Sequence, residues 1–243
     1  MKKAIVIGAS SGIGGALARV LGGAGYEVGL ASRRVERLEE LAAELPVRSY
    51  VRGLDLEHPE AARRALRELI DEMGGVDVIV ISSGLATRDG GWESELRLFQ
   101  VNVIGFAAMA EVAMSHFLGR GRGHLVGISS VSAVRAAGVS AAYSASKAFV
   151  SRYLEGLRVR ADQRGADVQV TDVKPGFVDT PMTEGQEGLF WVAPVDVAAR
   201  QILSAIRHRK RHVYVTRRWR LMAWIMKAVP YPLLVRLAPG EGE

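Results

Sequence analysis

Short runs rich in Val and Ile alternate along this 243-residue chain with longer stretches in which apolar residues return every three or four positions. The short runs at 3–7, 27–31, 47–53, 76–81, 124–128, 168–173 and 212–216 read as strands. Helices are predicted to begin near Gly12, Arg34, Pro59, Glu93, Ala141 and Val195. In the second of these, Val35, Leu38, Leu41, Ala42 and Leu45 form one apolar stripe suited to packing on a sheet, and Pro46 stops the helix. The run 76–81 is nearly continuous in apolar residues, which implies burial on both faces. Strands that alternate with helices in this way predict an α/β fold: a doubly wound, three-layer α/β/α sandwich with a central, mainly parallel seven-stranded sheet.

The length suits one large domain and leaves no room for a separate substrate domain. We assign 1–216 to that domain and 217–243 to a basic, apolar C-terminal extension. Apolar residues make up 49% and charged residues 24%, enough for a substantial core. There is no cysteine, which excludes disulfides, thiolate nucleophiles and cysteine-based metal sites, and no metal is expected. The net charge of +6 gathers at Arg207, Arg209, Lys210, Arg211, Arg217, Arg218 and Arg220. No nucleic-acid-binding motif accompanies it, so nucleic acid is not expected as a partner. Met1-Lys2-Lys3 resembles the start of an export signal, but the apolar run 4–7 is too short for one. A cytoplasmic location follows as the expectation, with contact at the inner face of a membrane as its variant.

Gly8-Ala9-Ser10-Ser11-Gly12-Ile13-Gly14 falls where the first strand meets the first helix. A pyrophosphate needs a sharp turn, close backbone approach and a helix N-terminus aimed at its charge, and this segment offers all three. The second strand then ends Ala31-Ser32-Arg33-Arg34. NAD-selective sites usually place an acid there for the ribose 2′-hydroxyl. Here Arg33 can meet a 2′-phosphate with a charge-assisted hydrogen bond and Ser32 can add another, so NADP(H) is the expected cofactor.

Tyr143 and Lys147 lie four positions apart at the start of a predicted helix, on one face. A phenol with a pKa of about 10 needs help to act as an acid or base at neutral pH, and a nearby ammonium lowers that value. Ser130, 13 residues before Tyr143 and just after the fifth strand, is placed to hydrogen-bond a substrate oxygen. Ser129 competes for that role, but the spacing favours Ser130.

Together these motifs resemble the classical short-chain dehydrogenase/reductase (SDR) family, a Rossmann-like fold, over about residues 3–216. The resemblance includes Asn102 in Asn102-Val103-Ile104-Gly105, Asp55-Leu56 after the third strand, and Pro175-Gly176-Phe177-Val178-Asp179-Thr180 after the sixth. It implies hydride transfer between a nicotinamide cofactor and a C=O or CH–OH group. Tyr143 would give the proton and Ser130 polarise the carbonyl. Lys147 would lower the tyrosine pKa and bind the nicotinamide ribose, and Asn102 would hold a water linking Lys147 to solvent. The cofactor would meet Gly8, Ser10, Ser11, Gly12, Ile13 and Gly14 of the turn, then Ser32, Arg33, Asp55, Leu56 and Gly84. Further along it would meet Tyr143, Lys147, Pro175, Gly176, Val178 and Thr180. One departure is plain: the family usually has Asn-Asn-Ala-Gly after the fourth strand, where this chain has Ser82-Ser83-Gly84-Leu85. The resemblance also implies a homo-oligomer, a dimer or tetramer.

In that family the segment after Thr180 and the C-terminus shape the substrate pocket. Met182, Leu189, Phe190 and Trp191 would give it an apolar lining, so a hydrophobic carbonyl compound is expected. The extension joins Arg217, Arg218 and Arg220 to Trp-, Met- and Leu-rich sequence and is too interrupted to span a membrane. Two readings of 217–237 stay open: peripheral membrane contact, or a helix packed on the protein's own pocket or across a dimer contact. Two rival functions also stay open, a ketoacyl thioester reductase and a non-catalytic NADPH-binding sensor or scaffold. An activated phenol has no use in the latter. A sugar-nucleotide epimerase or dehydratase would need a longer C-terminal region.

Overall fold

The computed structural model describes residues 2–86, 91–136, 141–186 and 188–237. Residues 238–243 of the expected extension, and Met1, lie outside them. The strands are β1 (Lys3–Ile7), β2 (Glu27–Ser32), β3 (Ser49–Gly53), β4 (Val78–Ile81), β5 (Arg122–Ile128), β6 (Asp167–Pro175) and β7 (His212–Val215). They form one seven-stranded sheet in the order β3-β2-β1-β4-β5-β6-β7. Every pairing is parallel, a firmer result than the mainly parallel sheet expected. Some boundaries move: β3 and β4 begin two residues later than 47 and 76, and β6 runs on through Pro175.

The helices among the described residues are α1 (Gly12–Gly23), α2 (Val35–Glu44), α3 (Pro59–Glu72), α4 (Trp92–Phe99), α5 (Phe106–Gly119), α6 (Ala141–Gln163), α7 (Val195–Arg207), α8 (Arg218–Ala228) and α9 (Tyr231–Leu237). Side-chain alternation along β1 explains the three layers. Ile5 and Ile7 enter one core with Leu66 and Leu69 of α3, Phe117 of α5 and Leu154 of α6. Ala4 and Val6 enter the other with Leu17 and Leu21 of α1 and Ile202 of α7. The continuous stretch 92–119 is long and apolar enough to cross a membrane, yet Met109, Ala113 and Phe117 are buried in the first core. It serves as a core helix here. The strand order reverses between β1 and β4, and at such a switch point a crevice opens beyond the strands' carboxyl ends.

One buried polar pair carries a consequence for stability. His124 of β5 is 6% exposed, and its Nε2 lies 2.7 Å from the Thr171 hydroxyl. That hydroxyl gives its proton to the Lys210 carbonyl, so Nε2 must be the donor. Burial, reinforced by the nearby Arg209 charge, pushes His124 down to about 3. The unfolded chain takes up this proton near pH 6.5, whereas the folded chain resists until about 3. The stabilisation is therefore full above pH 6.5 and drains away as the pH falls toward 3. Denaturant midpoints measured across that window should fall more steeply for the wild-type protein than for His124→Gln, which keeps a donor and cannot titrate. Parallel slopes would refute the assignment.

Candidate active site

The chemistry gathers at the carboxyl ends of β1, β4, β5 and β6. Gly8 follows β1 with φ +91°, a conformation side chains rarely adopt, and a Cβ there would meet Ser83 N at 2.7 Å. A Cβ on Gly14 would meet the Gly8 carbonyl oxygen at 2.2 Å, so α1 starts hard against the turn. Ile13 packs half-buried against the second core. Across the turn, the Thr180 methyl lies 3.4 Å from where a Gly12 side chain would begin. The Thr180 hydroxyl donates to the Val178 carbonyl at 3.2 Å. Val178 itself is pinned by a bridge to Ala193. The loop after β6 thus closes on the glycine turn. Ser10, Ser11, Gly12 and Thr180 line one cleft of about 520 Å³.

A second cleft, of about 330 Å³, brings Arg33 and Asp55 together with Gly53, His58 and Ala61. Asp55 also shapes its own turn, accepting the Glu57 N–H at 3.0 Å. Leu56 is buried against Gly105. The two adjacent arginines have different partners. Arg33 pairs with Glu57 at 2.8 Å, whereas the Arg34 guanidinium lies over the glycine turn, 2.9 Å from both the Ser10 and Ser11 hydroxyls. Ser32 is engaged locally and accepts the Arg34 N–H at 3.2 Å.

The catalytic candidates converge beside Gly84. The Lys147 ammonium, carried on α6, donates to the Ile128 carbonyl at 3.1 Å and lies 5.7 Å from the Tyr143 ring centre. A Cβ on Gly84 would sit 3.1 Å from that ammonium and 3.4 Å from Asn102 Oδ1. Ser130 is buried, accepts the Ser132 N–H at 3.1 Å and hydrogen-bonds the Tyr143 phenol. Asn102 sits in a wide π-helical turn, Gln100–Gly105, between α4 and α5. Such turns frequently mark functional sites. Its amide accepts the Leu85 N–H at 2.8 Å and donates to the Leu85 carbonyl at 2.9 Å and the Ser146 hydroxyl at 3.0 Å. This clamp holds the segment where Ser82 and Ser83 replace the family's asparagines.

The sequence profile described as short chain dehydrogenase matches residues 2–188. The chain is a short-chain dehydrogenase/reductase. An uncharacterized oxidoreductase of Mycobacterium tuberculosis is 32% identical over 98% of this chain and 97% of its own length. Another, from Myxococcus xanthus, is 38% identical over 75% of this chain and 74% of its own. A solved short-chain dehydrogenase from Sphingobium yanoikuyae, in complex with NADPH, superposes with a TM-score of 0.81 at 24% identity, over 95% of this chain and 97% of that one. The likeness to that structure establishes the shared fold.

In this SDR oxidoreductase the charges behind the site were not foreseen. Burial pushes the Tyr143 phenol above its ordinary value, and the Ser130 hydroxyl acts the other way. Burial lowers Lys147 itself to about 8, opposed by the Asp172 carboxylate. Asp172 is 1% exposed, accepts from the Ser129 hydroxyl and pairs with the buried Lys174 ammonium. Ser129 is therefore a structural neighbour of the site: its N–H also bonds the Val173 carbonyl at 2.8 Å. It stands between Ile128, which holds Lys147, and Ser130. A signal for this cluster existed, since Asp172 and Lys174 lie two apart in a strand and so share a face. Finally, Gly176 donates to the Val215 carbonyl and carries the Trp219 indole, which would sit 2.0 Å from any Cβ there.

Proposed function

We propose that this protein is an NADPH-dependent reductase of a hydrophobic carbonyl compound, or the reverse alcohol dehydrogenase, with Tyr143 as the acid. The observation that carries it is the joint placement of Ser130, Tyr143 and Lys147 beside Gly84. A nicotinamide dinucleotide bound along this crevice would supply the hydride. The residues suit such a group: Gly8, at φ +91°, makes the sharp turn, Gly14 lets α1 start hard against it, and Gly12 leaves the backbone at the start of α1 without a side chain, as close approach of a pyrophosphate requires. Gly12, Ser10, Ser11 and Thr180 surround the helix N-terminus, while Asp55 and Leu56 flank the adenine side.

The chain's own part is proton and charge placement. Tyr143, held protonated by burial, keeps a proton at its phenol oxygen across neutral pH, as a reductase needs. Ser130 orients that oxygen and offers a hydrogen bond to the carbonyl. Lys147, mostly an ammonium at pH 7, places positive charge beside the ring. Asn102 fixes Leu85 and with it the wall at Gly84. A sensor or scaffold would have no use for a buried lysine beside a buried phenol, because burying that charge is costly. Met182, Phe190 and Trp191, each more than a third exposed, give the substrate side an apolar surface. A homo-oligomer in the cytoplasm completes the reading.

The preference for NADPH rests on Arg34. Among the described residues its guanidinium meets hydroxyls and no carboxylate, so its charge is available for a 2′-phosphate. Initial rates with apolar ketones should show a clear preference for NADPH over NADH in kcat/KM. Arg34→Ala should erase about 10- to 100-fold of it, the worth of a charged hydrogen bond. Arg33→Ala should lose less, because Arg33 is already paired with Glu57. Equal kcat/KM for both cofactors in the wild-type protein would sink this part, and no turnover of any ketone would sink the whole.

A further inference from the structure

The C-terminal helices have two faces, and only one is accounted for. Along α8 the buried positions are Trp219 and Ala223, a single helical stripe. Trp219 is the anchor: its indole lies on Gly176, and its ring centre stands 5.2–5.7 Å from those of Phe177, Phe190 and Trp191. Arg218 adds its guanidinium 5.1 Å over the Trp191 ring. Thus α8 is fastened to the segment expected to border the substrate.

The opposite stripe is Leu221, Trp224 and Ile225, at the same i, i+3, i+4 spacing, and these side chains are 67%, 66% and 51% exposed. Tyr231 and Val235, four apart on α9, are exposed as well. An exposed ridge of this size on a protein surface marks an interaction site. Its charge indicates the partner. The stretch 217–237 carries Arg217, Arg218, Arg220, Lys227 and Arg236 and not one acid. A symmetric contact with a second copy would set these cations against themselves. A bilayer containing anionic lipid offers both things the ridge lacks: an apolar layer for Leu221, Trp224 and Ile225, and phosphates for the flanking arginines and lysine. The other basic residues, Arg207 to Arg211, precede β7 at the opposite end of that strand, and Arg209 pairs with Asp167. They belong to a different part of the surface.

We propose that the outward face of α8, aided by α9, docks the protein peripherally on an anionic lipid bilayer. Trp219 then couples the docked helix to Gly176 and the aromatic segment, turning the substrate side of the crevice toward the lipid. The docking does not depend on the proposed reaction, and its test needs no turnover.

Full-length protein is mixed with phosphatidylcholine vesicles, with or without phosphatidylglycerol, and floated through a density step. Protein should rise with the anionic vesicles, rise far less with phosphatidylcholine alone, and be released by added salt. Leu221→Gln/Trp224→Gln/Ile225→Gln should lower the partition coefficient at least about tenfold, since each apolar side chain contributes roughly 1.5–3 kcal/mol when fully buried. Thermal unfolding of this variant should match the wild type, because the three side chains touch no core. Failure of the wild-type protein to float, or equal flotation of the variant, overturns the proposal. So does a fall in solution mass caused by the triple change without any flotation, which would make the ridge a contact between copies.

Discussion

Tyr143→Phe will cut carbonyl reduction by about 10²- to 10⁴-fold, the usual worth of a positioned proton donor. The affinity for NADPH, read by fluorescence titration, will change little. The substitution removes one oxygen and leaves a ring of the same shape beside the Lys147 ammonium. Ser130 loses its phenol partner but keeps the Ser132 N–H, so the segment after β5 stays in place. The loss should therefore fall on kcat at every accessible pH, with the folded state intact. Turnover retained within tenfold would mean that another group gives the proton, and no other titratable hydroxyl in the described site is so placed.

Asp172→Asn should act on both stability and the pH profile. A buried carboxylate disappears while the Lys174 ammonium stays buried, a loss worth about 3–5 kcal/mol in comparable pairs. Lys147 also loses the negative charge that opposes its desolvation, so its pKa must fall below about 8. The sign follows directly: activity that needs the ammonium would be lost at a lower pH than in the wild-type protein. The paired change Asp172→Asn/Lys174→Met separates the effects. It should recover most of the stability, having removed the unpartnered charge, yet leave the alkaline limb displaced, because Lys147 still lacks its counter-charge. A limb that returns to the wild-type position in the paired variant would show that Asp172 matters only through Lys174.

The layered fold was legible because the strands repeat a simple physical demand: both faces of a central strand must be apolar when helices cover both sides. Val78 to Ile81 satisfies it at every position. The grouping of the three catalytic candidates was legible as well, since Tyr143 and Lys147 share a helix face and Ser130 follows closely on the end of β5. The contact of Arg34 was not, because both arginines precede the first residue of α2, and the path of that turn, which no spacing encodes, decides which guanidinium reaches Ser10 and Ser11. Asp172 was hidden for another reason. Its effect on Lys147 crosses between β6 and α6 and depends on burial, which no local spacing encodes. The fate of the C-terminal extension depended on where Trp219 lands, and Gly176, 43 positions earlier, receives it.

The wide turn at Gln100–Gly105 gives up regularity in the middle of what would otherwise be one long helix. A uniform α-helix through 92–119 would bond every interior amide four residues back and carry a single unbroken apolar stripe. The extra residue held in the bulge breaks that rhythm and rotates everything before it relative to everything after. Asn102 gains its grip on both polar groups of the Leu85 backbone by standing inside this misfit. The irregular turn thus stands where Asn102 grips Leu85, so a misfit in the pattern of bonds becomes order at the wall of the crevice.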